Sequence, residues 1–171
     1  MRGAGSYDPA VQDTRIVISV ADQVLRLRQR GEDRLVVPVS TASRGTGCRS
    51  GSHCTPLGLH RIRLKIGAGC APGTVFVRRR PTGEVCTPEL QQRFPDRDWI
   101  LTRLLWLDGL ERGVNRGGDV DTLRRFIYIH GTADEARIGQ PTSHGCVRMR
   151  NDDIVLLFEA VGNGMLVELQ P

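Results

Sequence analysis

The segment "LHRIRLKIG", residues 59–67, is the feature that most restricts how this chain can fold. Its apolar side chains alternate with cationic ones in the order Arg61, Ile62, Arg63, Leu64, Lys65, Ile66. Because successive side chains of a strand point to opposite faces, this pattern predicts a strand with one apolar face and one wet, cationic face. The earlier runs "RIVISV", "VLRLR" and "LVVPVS" are also short, and either alternating or β-branched, with a turn at "RGED". They predict an antiparallel meander.

Two later segments predict helices. "TPEL" places Thr87 as an N-cap and Pro88 at the first helical position. In "NDDIVLLFEAVGNG" apolar residues recur at helical spacing, which predicts a helix from about Asp152 to Val161 with Asn151 as its cap. "MLVEL" then predicts a closing strand.

The length of the chain supports one well-buried core. It has 171 residues, of which 39% are hydrophobic and 25% charged, as in soluble globular domains. A chain of this size is short for two separate cores. We predict an N-terminal tail over residues 1–13 and a single domain over residues 14–171.

Nearly all of the positive charge comes from arginine, since Lys65 is the sole lysine, and the formal net charge is +5. Arginine pairs bidentately with carboxylates and phosphates, so an anionic partner is predicted. The runs "RRR" and "RR" are short, and aromatic residues make up 5% of the chain, too few for a base-stacking platform. We predict no nucleic-acid partner, although a noncatalytic wall- or nucleic-acid-binding domain stays an alternative.

The amino-terminal stretch contains Asp8, Pro9 and Asp13, where a signal peptide needs an uninterrupted apolar segment. The longest apolar runs, such as "IVISVA", are far below the roughly 18 residues of a membrane span. We therefore expect a cytoplasmic protein with no membrane contact, or a periplasmic one if a native leader precedes this sequence.

The five cysteines allow more than one interpretation. "CRSGSHC" brings Cys48, His53 and Cys54 together, so a zinc-stabilised interaction module that also uses Cys70 or Cys86 is an alternative. However, no C-x-x-C pair occurs, and adjacent His and Cys side chains seldom both turn toward one ion. We predict that Cys48, Cys54, Cys70 and Cys86 are unpaired thiols, with no disulfide and no metal.

The stretch "PTSHGCVRM" raises the question whether Cys146 is a nucleophile, a metal ligand or a buried thiol. "RFIYIHG" predicts a strand from Phe126 to Ile129 that delivers His130 at its end, where scaffolds often present reactive groups. All four histidines precede Cys146, which excludes the papain-like order of nucleophile before base. A positioned imidazole can take the thiol proton and raise the thiolate fraction.

Several segments together resemble a known family. "IYIHGT", followed after ten residues by "SHGCVRM", is similar to the signature of the L,D-transpeptidase (YkuD-type) catalytic domain. "VADQVLRL", "CTPLGLHRI" and "RMRNDD" also follow the family's order of segments, so the resemblance covers nearly the whole chain. Together with the strand count, it implies a mostly β fold: two curved sheets in a sandwich or flattened barrel, with one or two short helices.

The resemblance implies acyl transfer on peptidoglycan stem peptides, at the bond between the L-centre of meso-diaminopimelate and the following D-Ala. It implies Cys146 as the nucleophile and His130 as the base, oriented by the carbonyl of Gly131. Backbone N–H groups of Gly145 and Cys146 would hold the oxyanion. No cofactor is implied, and a carbapenem is the expected covalent inhibitor.

Three further residues are implied on the substrate side of the site. Arg148 matches the family's arginine two residues after the nucleophile, and would bind a diaminopimelate carboxylate or support the site. His144 and Ser143 would contact the substrate or shape the site. The alternative for Arg148 is an ion pair with Asp152 or Asp153 at the start of the predicted helix.

The fate of the acyl-enzyme is open at this point, because water and an amine compete for it. We favour water, and hence an L,D-carboxypeptidase that trims stem tetrapeptides or muropeptides during cell-wall recycling in the cytoplasm. The stretch "PTGEVCTPELQQRFPDRDWILTRLLWLDGLE" is less generic and suggests such a subgroup. The alternative is an L,D-transpeptidase that crosslinks peptidoglycan or exchanges D-amino acids.

Overall fold

A computed structural model describes residues 14–171, so the predicted tail over residues 1–13 lies outside the described residues. No helix of the described residues is long and apolar enough to cross a membrane. The described chain contains two α-helices, α1 (Pro88–Arg93) and α2 (Asn151–Ala160). Its ten strands are β1 (Thr14–Ser19), β2 (Val24–Gln29), β3 (Glu32–Pro38), β4 (Gly58–Ile66), β5 (Thr74–Val77), β6 (Arg80–Val85), β7 (Ile100–Gly109), β8 (Tyr128–Gly131), β9 (Val147–Met149) and β10 (Leu166–Gln170).

The first three strands form the predicted antiparallel meander. β1 pairs with β2, and β2 pairs with β3, in antiparallel register. β10 is the predicted closing strand, since it pairs parallel with β1 and antiparallel with β4. Ile16, Ile18 and Leu25 on these strands are completely buried in the main apolar core. The mostly β fold class is confirmed.

β7 connects the part of the sheet that contains β1–β4 and β10 to the part that contains β5, β6, β8 and β9. It pairs antiparallel with β4, β5 and β8, and β8 pairs parallel with β9. Arg148 of β9 and Ser40, just beyond β3, then exchange two backbone hydrogen bonds of 2.9 Å. This contact joins the end of the first meander to β9, which lies at the opposite end of the sheet. The sheet therefore curls back on itself. The flattened barrel describes it better than two separate sheets, since hydrogen bonds connect all ten strands.

The alternation predicted for β4 holds only in its first half. Ile62 is buried, whereas Leu64 is 41% exposed. A β-bulge lies between these two residues in the pairing with β7, and the extra residue of a bulge re-aims the side chains that follow it. The ammonium of Lys65 donates to the carbonyls of Phe158 and Val161, where a cation complements the carboxyl end of α2. The prediction that Leu64 belongs to a buried apolar face is therefore wrong.

Both predicted helices form. α1 begins where predicted, because the Thr87 hydroxyl accepts the Leu90 N–H at 3.2 Å and Pro88 occupies the first helical position. α2 buries Ile154 and Leu157 in the main apolar core. Its helical spacing thus reflects packing on the sheet.

The cap predicted for α2 is wrong. Arg150 is the cap residue, and Asn151 is already the first residue of the helix. The Asn151 side-chain amide instead donates to the Thr132 carbonyl at 2.8 Å and to the Glu135 carboxylate at 2.7 Å. A tertiary contact to the loop after β8 has replaced the local cap, and this contact fixes α2 beside the strand that carries His130.

β8 begins two residues later than predicted. Phe126 has a φ of 56°, in the left-handed region, so the extended conformation starts only after it. β8 therefore includes His130 and Gly131 instead of ending before them.

His60 of β4 is completely buried and held neutral. Its Nδ1 donates to the Gly58 carbonyl at 2.9 Å, and its Nε2 accepts from the Thr122 hydroxyl at 3.0 Å. Burial lowers the pKa of His60 from 6.5 to about 4, against smaller opposing effects of the Gly58 carbonyl and nearby carboxylates. The unfolded chain therefore binds a proton before the folded chain does as the pH falls.

From this we expect the free energy of unfolding to decrease as the pH falls from 6.5 toward 4, by about 3 kcal/mol from His60 alone. Urea unfolding at pH 7 and pH 4 measures the decrease. His60→Gln cannot titrate, so its decrease should be smaller than that of the wild type by about this amount. An equal decrease in both proteins would contradict the assignment.

Candidate active site

β8 and β9 place four side chains on one face of the sheet. In their parallel register His130 lies opposite Arg148. Two residues earlier, the backbone N–H of Tyr128 donates at 3.3 Å to the Sγ of Cys146, which directly precedes β9. Side chains alternate along a strand, so Tyr128 and His130 share one face of β8. Cys146 and Arg148 share the same face at β9, which brings the predicted nucleophile and base to one surface.

His130 has the tautomer of a general base. The residue is completely buried, and its Nδ1 lies 2.7 Å from the carbonyl oxygen of Gly131. Because a carbonyl only accepts, Nδ1 carries the proton and Nε2 is left as the acceptor. Nε2 has no hydrogen-bond partner among residues 14–171. Burial lowers the pKa of His130, although the Asp98 carboxylate and the Gly131 carbonyl act in the opposite direction.

The Cys146 thiol is held by the backbone at the start of β8. Its Sγ donates to the Phe126 carbonyl at 3.5 Å and accepts the Tyr128 N–H. Burial raises the pKa of the Cys146 thiol to about 12, and the Tyr128 N–H offsets this only in part. The sequence led us to expect an increased thiolate fraction, whereas the resting site holds a neutral thiol near a neutral imidazole. A thiol that is neutral at rest would have to give up its proton before or during a nucleophilic attack.

Gly145 occupies a position that only glycine suits. Its φ is +131°, and a Cβ there would lie 3.2 Å from the Ile127 side chain and 3.3 Å from the Cys54 carbonyl. The N–H of Gly145 donates to the Ser143 hydroxyl at 3.2 Å. In this conformer the predicted oxyanion donor of Gly145 is thus occupied, and the N–H of Cys146 stays the predicted donor.

Ser143 braces the loop before the nucleophile. Its hydroxyl accepts the Gly145 N–H and donates to the Cys146 carbonyl at 2.5 Å. Its backbone pairs with Thr41 and Ser43. Ser143 is 1% exposed, so it holds the loop in place, and the substrate contact predicted for it lacks the exposed surface that such a contact needs.

Arg148 is engaged by a carboxylate from another part of the chain. Its Nη2 donates to Asp98 Oδ1 at 2.7 Å and its Nη1 to the Thr142 carbonyl at 3.1 Å. Burial alone would raise the pKa of Asp98, but the nearby His130 and Arg148 side chains hold it below its usual range. In this conformer Arg148 supports the site, with its guanidinium already bound to Asp98.

Asp98 is the site residue that sequence reasoning missed. The alternative partner considered for Arg148 was the acidic start of α2, not a residue between α1 and β7. Neighbours anchor Asp98 on both sides: Arg97 pairs with Glu84 at 3.1 Å, and Trp99 is buried in an apolar cluster. The one available sequence signal was an acidic residue directly before the buried strand "WILTR".

His144 lies at the mouth of a cleft. Its side chain is 66% exposed, with Nδ1 3.8 Å from Asp98 Oδ2. The cleft has a volume of about 720 Å³, and its lining includes Asp98, Trp99, Thr132, Arg137, His144 and Arg148. This position suits the role predicted for His144, which is to contact a substrate or shape the site.

We expect Asp98→Asn to lower kcat/KM about tenfold. Without the Asp98 carboxylate the pKa of His130 falls further, which weakens the base and moves the acid limb of the pH–rate profile to lower pH. Rates measured from pH 4 to pH 8 check this. Glu89→Gln, on the exposed face of α1, is the matched control. A lower rate with an unmoved acid limb would show that Asp98 acts on something other than His130.

The remaining cysteines lie outside any metal cluster. All five cysteines are free thiols. The sulfur atoms of Cys48 and Cys54 contact the backbone carbonyls of Leu57 and Arg44, respectively. Within residues 14–171, no group of three His, Cys, Asp or Glu side chains is arranged to hold a metal ion. The zinc-stabilised module thus lacks a ligand set in the described chain.

Sequence comparison finds a family model and several relatives that match this chain. Residues 13–169 match the family model of the L,D-transpeptidase catalytic domain. A putative L,D-transpeptidase, YkuD of Bacillus subtilis, is 46% identical over 115 residues, which cover 64% of this chain and 65% of that protein. The probable L,D-transpeptidase YbiS of Escherichia coli is 52% identical over 44 residues, or 26% of this chain and 14% of that protein.

Solved structures share the fold. L,D-transpeptidase 3 from Mycobacterium tuberculosis, in complex with a faropenem-derived adduct, superposes with a TM-score of 0.57 at 16% identity. The match covers 93% of this chain and 60% of that one, so the chain spans less than two thirds of these relatives. On the match to the family model over residues 13–169, the chain belongs to the L,D-transpeptidase catalytic-domain family, a family of cysteine acyltransferases.

Proposed function

We propose that this chain is an L,D-carboxypeptidase, which removes the terminal D-Ala of peptidoglycan stem tetrapeptides by cutting its bond to meso-diaminopimelate. One observation carries the proposal: Cys146 and His130 share a face of two adjacent strands, and Arg148 on that face lines a cleft with charges of both signs. Membership of a cysteine acyltransferase family supports a thioester intermediate.

Acylation begins as the Cys146 thiol rotates from the Phe126 carbonyl toward His130. Nε2 of His130 takes the thiol proton while Sγ attacks the carbonyl carbon of the L-centre. The Gly131 carbonyl stabilises the resulting imidazolium through Nδ1, and the N–H of Cys146 holds the oxyanion. His130 then gives its proton to the amine of D-Ala as the C–N bond breaks and the thioester forms.

Hydrolysis completes the cycle. His130 takes a proton from water while the water oxygen attacks the thioester carbonyl. The C–S bond breaks, the sulfur of Cys146 recovers the proton, and the tripeptide leaves as its free acid. The enzyme returns to the neutral thiol and neutral imidazole of the resting site.

The cleft suits the side chain of meso-diaminopimelate, which ends in an ammonium and a carboxylate. Asp98 offers a carboxylate there, and Arg137 and His144 offer groups that pair with an anion. Arg137 is 59% exposed at its side chain, so it stays accessible although it pairs with Asp134. A zwitterionic group is thus matched by charges of both signs.

Transpeptidation is the second candidate, because an amine competes with water for the same thioester. Transfer requires the amine of a second stem peptide to be held beside the thioester, whereas water needs no docking surface.

We also propose that the reaction takes place in the cytoplasm on small recycled muropeptides. Detection of the native protein in a periplasmic or wall fraction would contradict that location.

Incubation with disaccharide tetrapeptide at pH 7.5, followed by mass spectrometry, tests the proposed activity. The expected products are disaccharide tripeptide and free D-Ala. A crosslinked dimer as the main product, or incorporation of an added D-amino acid, would overturn hydrolysis in favour of transpeptidation. An unchanged tetrapeptide would overturn both.

A further inference from the structure

The hairpin of β5 and β6 brings an arginine, which the reaction above does not use, to the aromatic residues beside the nucleophile. Its two-residue turn consists of Arg78 and Arg79, with φ of 49° and 67°. Turns with two left-handed residues strongly favour Asn and Gly, so two arginines adopt this backbone at a cost. Such strain persists where the surroundings hold it, and it is concentrated at ligand sites.

The Arg79 guanidinium is fixed by three aromatic residues. Its Cζ lies 4.6 Å from the ring centroid of Trp106 and 4.7 Å from that of Phe126. Its Nη1 donates to the Tyr128 hydroxyl at 3.2 Å. Among residues 14–171 no carboxylate forms an ion pair with Arg79. The half-buried Arg79 guanidinium is thus held in one orientation, and most of its five N–H donors are left to bind another acceptor.

The residues that hold Arg79 also hold the thiol. The Phe126 carbonyl accepts from the Sγ of Cys146 at 3.5 Å, and the Tyr128 N–H donates to it at 3.3 Å. Tyr128 lies toward the amino end of β8, and His130 toward its carboxyl end. Arg79 contacts Tyr128 at the amino end of β8, whereas the cleft is lined by Thr132 just beyond its carboxyl end, so the two lie toward opposite ends of this strand.

We propose that Arg79 binds the terminal carboxylate of the D-residue that leaves, and thereby restricts cleavage to peptides with a free carboxyl end. The inference rests on the proposed function. With the diaminopimelate side chain in the cleft at Asp98, the leaving residue extends past Cys146 toward the hairpin. There a guanidinium of fixed orientation can donate two parallel hydrogen bonds to a carboxylate.

A pair of substrates tests this assignment: the stem tetrapeptide as its free acid, and the same peptide as its C-terminal primary amide. For the wild type we expect kcat/KM to be about 100-fold higher for the acid. Arg79→Gln should reduce this ratio to about one, mainly through a slower reaction of the acid. Arg78→Gln, its neighbour in the same strained turn, is the matched control and should keep the wild-type ratio.

Each remaining outcome decides between the two proposals. Cleavage of both peptides by the wild type without a preference would overturn the role of Arg79 and leave the proposed function standing. Cleavage of neither would overturn the proposed function as well. An equal loss with both peptides in Arg79→Gln would assign Arg79 to folding of the hairpin. If Arg79→Gln does not fold, Arg79→Lys, which keeps the charge without the planar fork, should still lower the ratio at least tenfold.

Discussion

Replacing Cys146 with alanine should reduce kcat/KM for the tetrapeptide by at least about 10⁴-fold, because no other group can form the thioester. A carbapenem should add its mass to the wild type and not to Cys146→Ala. The fold should persist: the side chain is only partly buried, against the cluster of Phe76, Leu104 and Tyr128. Loss of one sulfur atom there costs about 1 kcal/mol, or about 2–4 °C in the melting temperature.

Cys70→Ala is the matched control, since Cys70 packs against the same apolar cluster. It should lose a similar amount of stability and keep both turnover and carbapenem labelling. Labelling that persists in Cys146→Ala, or that maps to Cys48, Cys54, Cys70 or Cys86, would contradict the assignment of the nucleophile.

Replacing His130 with asparagine should lower kcat/KM about 10³-fold, because the amide can still donate to the Gly131 carbonyl but cannot accept the thiol proton. His53→Asn is the matched control: its φ is 57°, a conformation that asparagine tolerates. His144→Asn distinguishes the two histidines of the site. A loss with His144→Asn as large as that with His130→Asn would contradict His130 as the sole base.

The pH dependence of kcat/KM should also identify His130 as the base. The base must be neutral, so kcat/KM falls as the pH drops through the pKa of His130, and burial places that pKa below 6.5. Since burial raises the pKa of Cys146 to about 12, thiolate does not accumulate near pH 7 and alkylation by iodoacetamide should be slow there. Fast alkylation at pH 6 would instead indicate a preformed thiolate–imidazolium pair.

Local patterns predicted the parts of the fold whose causes are local. The meander, the start of α1 at Thr87 and the closing strand β10 each depend on residues within a few positions of one another. Two local predictions failed where a distant partner intervened. Pairing with β7 introduces the bulge that exposes Leu64, and the loop after β8 takes the side chain of Asn151 away from the cap of α2.

The residues around the nucleophile also fall into two groups: those that the sequence indicated and those that only distant contacts bring to the site. The resemblance of "IYIHGT" and "SHGCVRM" to the family signature pointed to Cys146 and His130 as nucleophile and base. Asp98 and Arg79 escaped notice, since each meets the site across about 50 positions of sequence. Such contacts depend on which strands become neighbours, and no local pattern encodes that.

The sequence by itself determined the first meander, the start of α1 and the closing strand, because side-chain alternation and capping are properties of short segments. The family resemblance added Cys146 and His130 as the predicted reactive pair. Only the tertiary structure decided the charge state of that pair and the groups that surround it. Burial holds the Cys146 thiol and the His130 ring neutral, and the closed sheet brings Asp98 to one side of them and Arg79 to the other. Desolvation and electrostatic interactions act through space, so they exist only once the chain has folded.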